Sequence, residues 1–346
     1  MTPNELIKKI AVGEVNGVYL FEGPEETLKQ ETVEALRKRL LPEGFETFNE
    51  TVLEDTNENE LIEAAETLPF MADKRLVIAK DPLFLKGKSK AEPKRLYEWL
   101  KTPPADSITV LYIRGSLNKS QKLADRLNWI SFQSMEEREL EERIKAEAKT
   151  FGKNINPQDA SYLIFTVGHD LGSLLIETRK LASFIQDRKT ITVEDIDAAV
   201  TPGVEASVFK MIDALMDRNS QTAFTLLNGL INAGESYSMI MSMLTRQMRL
   251  LAHVKCLKAK NKGVNDIMKI TDQKSSYAVN RLLRSSAQLD ENVLKNGYLT
   301  CTELEFAART SQMREAEATE KMMLTVYDLK KIGDVRNKGT NISVKR

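Results

Sequence analysis

The chain has 346 residues, 42% of them hydrophobic and 29% charged, with 50 Lys+Arg balanced by 50 Asp+Glu. That composition excludes a disordered chain, and the length exceeds one ordinary core, so two or three domains are expected. A formal net charge of zero excludes a global attraction to nucleic acid, leaving any DNA contact to a local patch or a partner.

The opening "MTPNELIKKI" lacks the apolar core of a signal peptide. No stretch reaches the roughly 18 apolar residues of a membrane span. A cytoplasmic protein without membrane contact is expected. Cys256 and Cys301 read as two buried, unpaired thiols rather than a disulfide.

The first third alternates strand and helix signals. Strands are predicted at 18–22, 46–53, 75–80, 107–114 and 130–133, with helices over 26–41, 58–68, 92–101 and 119–128. This alternation predicts a parallel sheet with helices on its faces. The near-continuous apolar runs Val18 to Phe21 and Ile108 to Ile113 suit strands buried on both sides.

After residue 136 the strand signals stop. A helix is predicted up to Gly152, another from Asn156-Pro157 with Asn156 as its cap, and another near residue 170. Thr192-Val193-Glu194-Asp195 is a capping-box pattern. Three short helices are expected to make a small domain over 138–203, ended by the break Thr201-Pro202-Gly203. Five or six amphipathic helices, one running from about Ser236 to Asn261, predict a larger all-helical domain over 204–335. The remaining 336–346 reads as a flexible basic tail.

Three stretches invite a functional reading. Laid from Gly23, the phosphate-loop template G-x-x-x-x-G-K-[ST] meets Leu28 for its second glycine, Lys29 for its lysine and Gln30 for its hydroxyl. Leu28 and Gln30 provide neither the close backbone approach nor the magnesium ligand, and Glu25 and Glu26 add negative charge. A strand turning into a helix without a ligand is therefore expected, and no ATP. Further on, Lys80 stands where a magnesium-binding acid would close a motor's second motif, followed by Asp81 and Pro82. His169 and His253 have no metal-ligand spacing around them, and no nucleophile, base and orienter can be assembled. No cofactor, metal or catalytic residue is expected.

The second stretch is 64–75, where a helix ends in Leu68-Pro69-Phe70-Met71. From spacing alone, large apolar residues around a helix break read as core; the rival reading is an exposed plug for a partner's pocket. The third is basic. Arg246, Arg249, Lys255, Lys258, Lys260 and Lys262 have no acid between them, and 84–95 is lysine-rich. Solvated surface is the plain reading of both, with a weak phosphate-facing role open to Arg246, Arg249, Lys255 and Lys258.

Five stretches in order carry a family likeness: "GVYLFEGPEETLKQE", "LPFMADKRLVIAKD", "VLYIRGSLNKSQKL", "VGHDLGSLLIETRKLASF" and the long segment from Ser207 to Lys255. Over nearly its whole length the chain resembles the delta-subunit family of the bacterial DNA polymerase III clamp loader. The resemblance implies α/β plus all-α architecture. An AAA+-like domain with a degenerate nucleotide site (1–137) would precede a lid (138–203) and a collar (204–335). It implies a non-catalytic subunit of the DNA polymerase III holoenzyme that binds and opens the sliding clamp on primed DNA, beside the gamma/tau ATPase subunits and delta-prime. It places the clamp-binding element at Leu68, Phe70 and Met71, with Pro69 as a departure from the family pattern. Two alternatives stay open: an active ATPase subunit of the same loader using Lys29, and a free-standing DNA-binding protein using the 246–262 stripe.

Overall fold

Alternation along the strands builds the first half of the molecule. In a computed structural model that describes residues 1–85, 94–117, 127–287 and 289–339, β1 (Gly17–Glu22), β2 (Glu50–Glu54), β3 (Arg75–Lys80), β4 (Ser107–Tyr112) and β5 (Asn128–Ser131) form one parallel sheet. Its order is β2-β3-β4-β1-β5. Successive side chains of a strand point to opposite faces. Tyr19, Phe21, Leu76, Ile78 and Val110 accordingly pack on one side, with Leu6 and Ile10 of α1 (Pro3–Val12) and Val33 and Leu36 of α2 (Glu26–Leu40). Val18, Leu20, Val77, Ala79 and Leu111 pack on the other, with Leu61, Ile62 and Ala65 of α4 (Glu58–Glu66) and Leu96 and Trp99 of α5 (Lys94–Trp99). Two apolar layers on one sheet explain why its inner strands read as continuous hydrophobic runs.

These elements make up the first of two compact units, Met1–Met135; the second begins at Glu136. In the second unit α6 (Glu137–Thr150), α7 (Pro157–Val167), α8 (Leu171–Phe184) and α9 (Val193–Ala199) accompany a parallel pair of two-residue strands, β6 (Asn154–Ile155) and β7 (Thr190–Ile191). Seven further helices follow among the described residues: α10 (Val204–Met216), α11 (Ser220–Asn232), α12 (Tyr237–Ala259), α13 (Val264–Thr271), α14 (Ser276–Ala287), α15 (Glu291–Arg309) and α16 (Glu315–Gly339). Tyr162 and Phe165 of α7 meet Phe209 of α10 and Tyr277 of α14 in one aromatic cluster, with ring centres 5.1–5.2 Å apart. Gly297 lets α15 approach its neighbours, because a Cβ there would sit 2.8 Å from Leu329 and 2.9 Å from Met248.

Several expectations are corrected. Residues 46–49 are a helical turn, α3 (Glu46–Asn49), and the strand expected from 46 begins only at Glu50. The turn is closed by backbone bonds, Phe48 N–H to the Phe45 carbonyl (3.2 Å) and Glu50 N–H to the Glu46 carbonyl, and Asn49 Nδ2 adds a bond to the Phe45 carbonyl (3.0 Å). The N-terminal residues form α1, capped by Thr2 in a capping box with Glu5. Asn156 does not cap α7 with its side chain; its Nδ2 donates instead to Asp159 (3.3 Å). Thr192 and Asp195 do form the expected box. Between residues 136 and 203 there are four helices rather than three, and among the described residues beyond 203 there are seven rather than five or six. Cys301 is buried and its thiol is pushed up to about 12 by burial, but Cys256 is only half-buried. Helix α16 takes in 336–339 of the expected tail; 340–346, most of the predicted 119–128 helix and 86–93 of the lysine-rich loop lie outside the described residues.

Among the described residues no helix is long and apolar enough to cross a membrane, and no group of His, Cys, Asp and Glu could hold a metal. His253 is exposed. His169 is half-buried, and burial lowers its pKa.

Candidate functional site

The first unit carries two loops of opposite character. At the end of β1, Gly23 has φ +116, and a Cβ there would lie 2.2 Å from the Phe132 carbonyl oxygen, so only glycine fits. Six residues on, Lys29 is fully buried. Its ammonium donates to the carbonyls of Gly23 (2.8 Å) and Ile113 (2.7 Å) and to the Glu26 carboxylate. An ammonium has three hydrogens, and all three are used. Glu26 also accepts from the Tyr112 hydroxyl (2.7 Å) and the Gly115 N–H (3.3 Å). Burial works to raise the Glu26 carboxyl, but Lys29 and Tyr112 outweigh it and hold the group below its ordinary value. Burial pushes the Tyr112 hydroxyl far up, and Glu26 adds to the rise. Buried Glu22 accepts from Trp129 Nε1 (3.2 Å), the Leu117 N–H (3.3 Å) and Ser131. Lys80 faces Glu54 at 3.7 Å, and Asp81 accepts the Arg114 N–H (2.9 Å).

The second loop follows α4. That helix starts with Asn57 accepting the N–H groups of Asn59 (2.9 Å) and Glu60 (3.1 Å), and it buries Leu61, Ile62 and Ala65. It stops at Glu66, with Thr67 as C-cap and Thr67 Oγ1 donating back to the Glu63 carbonyl (2.9 Å). Pro69, lacking an N–H, bars a further turn. Leu68, Phe70 and Met71 then stand 75%, 53% and 72% exposed, which overturns the core reading drawn from spacing. The backbone beneath them is pinned. Asn49 is fully buried and uses its whole amide: Oδ1 accepts the Phe70 N–H (2.7 Å), while Nδ2 donates to the Phe70 carbonyl (2.8 Å) and to Phe45. Arg75, also buried, donates to Thr51 Oγ1 (2.7 Å) and reaches the Leu68 carbonyl (3.5 Å). Met71 sits at φ +51, an uncommon backbone state for a side chain of its size.

Sequence reading missed one member of this surface. Phe48 on α3 is 60% exposed, and its ring centre lies 5.5 Å from Phe70; Phe45 completes an aromatic trio at 6.2 Å from Phe70. The signal was the spacing of Phe45 and Phe48, three apart as on a helix.

The basic candidates lie on α12 in the second unit. Arg246 pairs with Glu205 at 2.6 Å, so the stripe without intervening acid in sequence meets an acid from α10 in space. Lys255 is half-buried and donates to the Ala287 carbonyl (3.0 Å), while Arg249 and Lys258 are exposed. Lys255 and Lys258 border a surface depression of about 830 Å³ with Arg284.

The sequence profile described as DNA polymerase III, delta subunit matches residues 19–133, and the profile for the C-terminal domain of that subunit matches 205–326. DNA polymerase III subunit delta of Bacillus subtilis is 31% identical over 273 residues, 75% of this chain and 78% of that one. The probable DNA polymerase III subunit delta of Aquifex aeolicus is 26% identical over 275 residues, 75% and 77% of the two chains. Among solved structures, the Bacillus subtilis DNA clamp loader delta protein superposes with a TM-score of 0.55 at 25% identity, covering 94% of this chain and 99% of that one. Profiles on both units and an identity above 30% over most of both chains leave one assignment: this chain belongs to the DNA polymerase III delta subunit family.

Proposed function

We propose that the chain is the clamp-opening subunit of a bacterial clamp loader and grips the sliding clamp with Leu68, Phe70 and Met71. One observation carries the reading: three large apolar side chains are held out to solvent on a loop whose backbone is fastened from below by buried polar groups. Isolated exposed hydrophobics need no explanation, but a contiguous set on a fixed loop marks a docking surface.

The magnitudes suit a reversible grip. With half to three quarters of each side chain still to bury, the set contributes roughly 3–6 kcal/mol. Association itself opposes binding by about 4–15 kcal/mol, so neighbouring surface such as Phe48 must contribute. Opening then follows from differential affinity: a grip that is about 1.4 kcal/mol tighter on the sprung clamp biases opening tenfold. The nucleotide loop takes no part, because Lys29 has no hydrogen left for a phosphate. ATP would act on partner subunits, gamma/tau beside delta-prime, and reach this chain through a collar over 204–335 that follows a lid over 138–203. Arg249 and Lys258, both exposed, are the stronger candidates for contact with primed DNA; Arg246 and Lys255 are already engaged.

The test is binding of the full chain to purified sliding clamp. Phe70→Ala combined with Met71→Ala should weaken it at least 100-fold, about 2.7 kcal/mol, while the thermal transition stays in place. Unchanged clamp affinity in that folded double variant rejects the assignment.

A further inference from the structure

We infer that Asn49 is the positioning residue of the apolar loop: its buried amide fixes the Phe70 peptide so that Phe70 and Met71 are presented before any partner arrives. The inference rests on the clamp-binding reading and adds to it a residue that touches no partner.

A side-chain amide offers two donors and an acceptor. Asn49 directs both donors and its acceptor to backbone, and two of the three bonds end on a single residue, Phe70. Its carboxamide thus pairs with the Phe70 backbone as a neighbouring strand would, at a place where no strand runs. Loop residues 68–71 lack regular secondary structure. An Asp in place of Asn49 would still accept the Phe70 N–H but would turn lone pairs towards two carbonyls. An Ala would leave the Phe70 N–H and carbonyl unpaired, while the Phe45 carbonyl would keep the Phe48 N–H (3.2 Å). The same side chain also bonds the Phe45 carbonyl at the start of α3, so one residue links the segments that carry Phe48 and Phe70, whose rings lie 5.5 Å apart. Sequence spacing gives no hint of this, since Asn49 and Phe70 are 21 positions apart.

A positioning role has a kinetic signature. If a variant populates the presented loop a tenth of the time, apparent affinity falls tenfold through the association rate, while the contacts of the bound state and the dissociation rate persist. Removing a contact residue does the reverse.

The experiment measures two quantities on the full chain and on its Asn49→Ala and Asn49→Asp variants. One is hydrogen exchange of the Phe70 amide without any partner; the other is the rate of binding to and release from purified sliding clamp. Expected results are loss of Phe70 amide protection in Asn49→Ala, with protection of the sheet unchanged, and association slowed about tenfold at a constant release rate. Asn49→Asp should fall between Asn49→Ala and the parent. Retained Phe70 protection in a folded Asn49→Ala protein overturns the inference. So does lost protection with clamp association unaltered in either variant. Should Asn49→Ala fail to fold, the Asn49→Asp protein alone decides by the same two readings. Failure of the clamp reading looks different: Phe70→Ala with Met71→Ala would then leave clamp binding intact, whereas the exchange result would still report whether Asn49 holds the loop.

Discussion

The two loops of the first unit invert the ordinary distribution of residues. Beyond the loop that ends β1 a charged side chain, Lys29 in the first turn of α2, is wholly buried, while after α4 the apolar Leu68 and Met71 are more than 70% exposed. Burying a charge is tolerated only when it is paired and hydrogen-bonded, and Lys29 meets that condition with two carbonyls and a carboxylate. Its side chain ties α2 to the ends of β1 and β4. Exposing apolar surface carries no comparable penalty for the fold if the backbone is otherwise satisfied, as Asn49 and Arg75 ensure. A buried lysine in a phosphate-loop register can therefore be a strut, and a hydrophobic loop can be a tool. The polar loop holds the fold together and the greasy one faces outward.

The largest expected effect breaks the first half of this contrast. Lys29→Met should reduce the stability of the protein by about 3 kcal/mol, since it strands two carbonyls and a partly buried carboxylate. Urea unfolding followed by circular dichroism measures the loss. A phosphate-binding lysine behaves otherwise: its replacement leaves the fold intact and abolishes nucleotide binding. Magnesium-ATP that stabilises the parent but not a fully stable Lys29→Met protein would restore the ATPase reading.

How much of this was legible beforehand follows from the range of each interaction. The sheet could be read because Val18 to Phe21 and, but for Thr109, Ile108 to Ile113 are apolar on both faces, a local property of the strands. The helical half followed equally from periodicity and break points. The phosphate-loop register argued against a ligand from residue types, but the use made of Lys29 was hidden, because its Ile113 acceptor is 84 positions away. Spacing misjudged Leu68 to Met71, since a helix break rich in large apolar residues looks alike whether it faces inward or outward. The resemblance to a family supplied what periodicity could not. Phe48 was lost for a narrower reason: "ETFNETVL" runs without punctuation into the strand residues Thr51 to Leu53, and the bonds from the Phe48 N–H and Asn49 Nδ2 to the Phe45 carbonyl that shape its first half cannot be read from residue types.

Phe48 sharpens the other half of the contrast with a smaller effect. Its ring extends the exposed surface beside Phe70, and aromatic pairs at such distances contribute about 0.5–1.5 kcal/mol beyond area alone. Phe48→Ala should accordingly weaken clamp binding about five- to tenfold while changing stability by no more than about 0.5 kcal/mol. Titration against purified clamp, with a parallel thermal scan, separates the two. Loss of stability without loss of affinity would make Phe48 part of the loop's foundation rather than its working face.

Glu26 gives the smallest effect and bears on whether the third acceptor of Lys29 matters. Folding holds its carboxyl below the ordinary value of 4.5, so its contribution is complete above that value and is lost as pH falls through the lower folded one. Because the side chain is 41% exposed, solvent screens the pair and the contribution stays under about 1 kcal/mol. Glu26→Gln keeps the shape and removes the charge. At pH 7 the variant should therefore be slightly less stable than the parent, and the gap should shrink as the pH is taken below about 4.5. Urea midpoints of the two proteins across that range provide the measurement. A gap independent of pH would mean that Lys29 is held by its two carbonyls alone and that the carboxylate is a bystander.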